Sequence, residues 1–85
     1  MSEKLIGTVT HYFDRISVAV VKIDKGALAV GDTVKFVGSG EGFQQVVGSL
    51  EIDRLAVGKI KAGQEAGMKV DEPVKSGWAV YKVEE

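Results

Sequence analysis

Gly26-Ala27-Leu28-Ala29-Val30-Gly31-Asp32 lies between two runs rich in β-branched residues. Its pattern recurs in modified form at Lys61-Ala62-Gly63-Gln64-Glu65 and at Val74-Lys75-Ser76-Gly77-Trp78. Each time a small or charged lead-in reaches a glycine, and a strand-forming run follows. Glycine adopts φ > 0 without a Cβ clash, so it turns a chain sharply into a new strand. Three such corners in 85 residues predict a compact barrel or sandwich with little room for helices.

The length, residues 1–85, is that of one domain near the small end of what folds without covalent staples. Hydrophobic residues make up 45% and charged residues 27%, which is ordinary for a soluble globular protein. The chain has no cysteine, which excludes disulfides and thiolate metal sites and fits a reducing, cytoplasmic setting. Met1 to Lys4 is polar, so no signal peptide is expected, and no apolar run approaches the ~20 residues of a membrane helix. A formal net charge of −1 argues against a dedicated phosphate-backbone binder and leaves room only for a local basic patch.

Outward from the opening corner, six strands are predicted. Residues 5–13 (LIGTVTHYF) are rich in β-branched and aromatic residues, with Ile6, Thr8, Thr10 and Tyr12 on one face and Gly7, Val9, His11 and Phe13 on the other. Asp14-Arg15 reverses the chain into residues 16–23 (ISVAVVKI), where Val18, Val20, Val21 and Ile23 leave both faces largely apolar. Residues 33–38 alternate cleanly, and residues 38–42 (GSGEG) form a hairpin tip. One long strand is expected from Phe43 to about Asp53, bent or bulged at Gly48. Residues 54–61 read as an irregular connection. Strands 65–70 and 78–83 complete the set, with Pro73 outside the ladder because it lacks an N–H. Six strands with glycine corners predict an all-β, small, closed, antiparallel-rich barrel, since closure removes sticky sheet edges.

The succession IGTVT, IDKGALAVGD, VVGSLEI, KAGQEAG and VKSGWAVYKV resembles the second, β-barrel domain of translational GTPases of the elongation factor Tu type. The likeness runs from Ile6 to Val83 and rests on the order and spacing of five pieces. It implies a stand-alone elongation-factor-like barrel, since no phosphate-binding G-x-x-x-x-G-K-[ST] loop and no third domain are present. Similar barrels also occur appended to enzymes, including some peptidases. In the family the barrel helps hold the 3′ end of aminoacyl-tRNA, and the matching positions here are Glu51 and Arg54. A carboxylate accepts from ribose hydroxyls, and a guanidinium stacks on a base or bridges phosphates. Where the family's pocket carries an apolar residue, this chain carries Lys69.

His11 is the only histidine and has no second histidine or cysteine beside it, so it reads as a partly buried strand residue. The 38–42 loop leads into a strand rather than a helix N-terminus, which makes it a hairpin and not a phosphate cradle. Asp24, Asp32, Asp53, Asp71 and Glu72 sit at separate turns and assemble no acid/base set. Trp78, Tyr12 and Phe13 are candidates for a stacking or partner-binding platform. The expected function is a non-enzymatic binding module without cofactor or metal, acting in translation on tRNA, the ribosome or a translation factor. Lys35, Arg54, Lys59, Lys61 and Lys69 would supply phosphate contacts, and Glu51 with Arg54 a nucleotide pocket. The alternative is a protein-interaction subunit or homodimer that uses the apolar outer face of the second strand and binds no nucleic acid.

Overall fold

The computed structural model describes residues 2–84, all of them in strands, turns and loops. Ten strands run along the chain: β1 (Ser2–Phe13), β2 (Val18–Ile23), β3 (Ala27–Ala29), β4 (Thr33–Val37) and β5 (Gly42–Val46), then β6 (Leu50–Ile52), β7 (Leu55–Val57), β8 (Lys59–Lys61), β9 (Glu65–Lys69) and β10 (Ala79–Glu84). Eight make one antiparallel sheet in the order β5-β4-β10-β1-β2-β9-β6-β7, and β3 pairs with β8 in a separate ribbon. The first and last strands are neighbours, with Ser2 opposite Glu84. Among the described residues no helix is long and apolar enough to cross a membrane.

The strict alternation expected for β1 is broken twice. Register shifts between Leu5 and Gly7, and between Val9 and His11, insert extra residues, so Ile6, Val9 and Tyr12 all turn toward the core at a spacing of three. Gly7 is obligatory at the first shift, because a Cβ there would stand 2.0 Å from the Lys22 carbonyl oxygen. In β2 the alternation holds: Ala19, Val21 and Ile23 are buried, while Val18 and Val20 face outward. The core is completed by Val34 and Phe36 of β4, Met68 of β9 and Val80 of β10. Leu28 and Ile60, paired across the β3–β8 ribbon, cover one end of it.

The all-β, antiparallel reading holds, while the strand count and the closure differ from expectation. The long strand expected over 43–53 is two strands at distant places in the sheet. β5 pairs with β4 at one end, whereas β6 pairs with β7 and β9 at the other. The break between them is held at the Gly31-Asp32 corner, where the Gly31 N–H donates to the Val47 carbonyl and the Val47 N–H donates to the Asp32 carbonyl. Gly31 sits at φ 98°, and Asp32 Oδ2 accepts from the Ala29 N–H at 2.8 Å. The supposed irregular connection over 54–61 contains β7 and β8. Among the described residues no backbone ladder joins β5 to β7, so the sheet is not closed by strand pairing into the six-stranded barrel.

What joins the two halves on that side is a side chain. Gln45 is the one buried polar residue among those described, 9% exposed. Its amide Nε2 donates to the Lys69 carbonyl at 3.0 Å, and its Oε1 accepts from the Asp71 N–H at 2.8 Å. The carboxamide thus offers β9 the donor and acceptor that a neighbouring strand's peptide would offer.

Gln45→Met keeps the volume and strands both backbone groups, so it should lower unfolding free energy in urea by about 2–4 kcal/mol. Gly7→Ala should cost more than ~3 kcal/mol, because the obstacle is backbone that cannot swing aside. Gly48→Ala, with nothing near the added Cβ, should stay within ~1 kcal/mol of wild type.

Candidate interaction face

The outward side of β1, β2, β9 and β6 carries the most distinctive surface. Cross-strand register places His11 opposite Val20, Phe13 opposite Val18, Val20 opposite Gly67 and Gly67 opposite Glu51. With no side chain, Gly67 leaves a trough between Val18, Val20 and the β6–β7 hairpin. A Cβ on it would meet Val18 Cγ1 at 3.1 Å. The trough is a groove of about 340 Å³ walled by Phe13, Ile16, Val18 and Val20. Glu51, Asp53 and Arg54 form its other wall. Ile16 and Phe13 are 57% and 46% exposed, well beyond what the packed faces of this sheet show.

The sequence-derived candidates separate here. Glu51 and Arg54 do come together, at the groove. Lys35 is separated from Lys69 by three strands, β10, β1 and β2, and its Nζ pairs with Glu3 at 3.3 Å. Lys59 and Lys61 flank the buried Ile60 on the separate ribbon. The lysines therefore line no common basic track. Nor do the aromatics make one platform. Trp78 is half-buried against the core beneath Gly38, where an added Cβ would fall 2.1 Å from the indole. Tyr12 packs on the core, and Phe13 faces the groove. His11 is exposed rather than partly buried, because the register shift before it turns it out, and its ring meets that of Phe13 edge-on at 4.4 Å. Among the described residues no group of three or more His, Cys, Asp or Glu is placed to hold a metal ion. The 38–42 segment is the β4–β5 hairpin, tied by the Gly38 N–H to the Glu41 carbonyl.

Ile16 and Gly67 were not singled out from the sequence. An apolar residue in a turn, beside a strand apolar on both faces, was the available signal for Ile16. Gly67 becomes meaningful only through its register with Val20 and Glu51. Arg54 has a further peculiarity. Asp53 and Arg54 are the two-residue loop of the β6–β7 hairpin, with φ 52° and 67°. Both angles are positive, the mirror-image turn geometry that favours Asn-Gly and disfavours arginine. Arg54→Gly should therefore raise stability by about 0.5–1 kcal/mol, read as a higher urea midpoint. Glu51→Ala, on an exposed position, should change it by less than ~0.5 kcal/mol.

No protein-family model matches the chain. An uncharacterized protease of Methanocaldococcus jannaschii is 32% identical over 81 residues, covering 94% of this chain. The chain spans only 20% of that relative's length. In structure it is similar to the C-terminal domain of a putative U32 peptidase from Geobacillus thermoleovorans, with a TM-score of 0.87 and 23% identity over 95% of this chain and 93% of that one. The selenomethionine variant of the same domain gives a TM-score of 0.84 at 24% identity, over 91% of this chain and 96% of that one. These likenesses overturn the expected kinship with the second domain of translational GTPases, and with it the expected function in translation and RNA binding. What this chain shares with the putative peptidase's C-terminal domain is its fold, over nearly its whole length.

Proposed function

We propose that this chain is an accessory β-domain of the U32 peptidase type, a non-catalytic module that serves a peptidase-like catalytic unit by binding it. The observation that carries this reading is the 32% identity to a protease across 94% of the chain while covering only a fifth of that protein. Four fifths of the relative's length lies outside the matched domain, which is where a catalytic machinery of its own would reside. The surface chemistry of this chain supports a binding role. Its only histidine meets Phe13 edge-on, and the sequence has no cysteine to act as a nucleophile. Its most distinctive feature is an apolar groove with charged walls, and exposed apolar surface commonly marks a protein contact.

The test pairs the purified chain with the Methanocaldococcus jannaschii relative from which the matching segment has been excised. Saturable binding by isothermal titration, absent when the intact relative occupies its own site, is the expected result. Absence of binding to the excised form would overturn the accessory role. Hydrolysis of a fluorogenic peptide by this chain alone would overturn its non-catalytic part.

A further inference from the structure

We infer that the groove face is a self-complementary contact through which two copies of this chain form a weak, two-fold symmetric dimer. A two-fold interface uses the same patch twice, so that patch must carry both halves of every contact. This one does. Ile16, more than half exposed at the β1–β2 turn, is a projecting apolar knob. The trough over Gly67 beside Val18 and Val20 is a socket for such a knob.

The charges repeat the pattern. Arg54 supplies one cation, and Glu51 and Asp53 supply two carboxylates at the same wall. None of the three belongs to an ion pair among the described residues, whereas Lys4, Lys35 and Lys82 each have an acidic partner within 3.4 Å. Across a two-fold axis Arg54 of each copy meets the carboxylates of the other. Arg54 also stands where backbone geometry favours glycine, so its side chain is kept at a cost to stability. A partner of another sequence would need the same apolar centre and the same mixed charges, and a second copy has them by construction. Four strands at ~4.8 Å spacing and the ~20 Å length of β2 give a footprint of about 400 Å² in projection, which belongs to weak, transient association. The inference does not depend on the accessory-domain reading.

Sedimentation equilibrium of the full chain from micromolar to millimolar concentration tests it. The expected wild-type result is a mass rising toward twice the monomer. Ile16→Asp and Gly67→Ala should each weaken association by about tenfold or more, while Leu5→Asp, on an exposed residue near the other end of β1 and outside the groove, should leave it unchanged. Far-UV circular dichroism identifies any variant that fails to fold, and either groove variant then suffices. Arg54→Glu alone and Glu51→Arg/Asp53→Arg alone should each be monomeric, and their equimolar mixture should recover a heterodimer. A wild-type monomer at millimolar concentration would overturn the dimer, as would a dimer indifferent to Ile16→Asp or abolished by Leu5→Asp. A monomer that binds a peptidase-like unit in an Ile16-dependent way would overturn the dimer while leaving the accessory role intact.

Discussion

The architecture depends on a single amide that stands in for a strand. Eight short strands must curl around one core, yet the ladder stops at β5 and β7 without joining. Gln45 ties β5 instead to the end of β9, donating to the Lys69 carbonyl and accepting from the Asp71 N–H just beyond that strand. An apolar side chain there would fill the same space and leave two peptide groups unpaired, a cost comparable to much of a small domain's net stability. The Gly31-Asp32 corner acts in concert, since its two hydrogen bonds with Val47 hold the chain as it leaves β5 for β6.

Most of the strands could be read from period and punctuation, and the errors arose where one residue changed the phase. Over Val18–Ile23 and Thr33–Val37, within the runs read as strands 16–23 and 33–38, burial alternates residue by residue, because no bulge disturbs β2 or β4, while Ile16 and Ser17 belong to the preceding turn. In β1 the two register shifts move His11 to the exposed side and Ile6 and Val9 to the same inner side. Val46-Val47-Gly48-Ser49 reads as one strand bent or bulged at Gly48, since nothing local reveals that Val47 bonds to the Asp32 corner instead of a neighbouring ladder. The β7 and β8 strands are three residues each, too short for periodicity to register.

The candidate face was legible in part. The apolar outer side of β2 could be seen in Val18 and Val20, and Glu51 with Arg54 came into view through a family likeness that the protease relatives replace. Their proximity survives that correction because it follows from the β6–β7 hairpin and not from any ligand. The lysines, close in kind in the sequence, lie on three separate strands, β4, β8 and β9.

One feature of strand order bears on how the molecule comes into being. β10 lies between β4 and β1, so before it arrives the β4–β5 hairpin is paired with no other strand of the sheet. Val80, at the heart of the core, arrives with it. The pairing of β10 with β1 spans nearly the whole chain, the kind of long-range closure that makes β-domains slow folders. At synthesis rates of about 5–20 residues per second, the nascent chain carries its unfinished core for seconds. A domain built this way completes its fold only once β10 is available to pair, and until then its apolar strands are open to association with other chains.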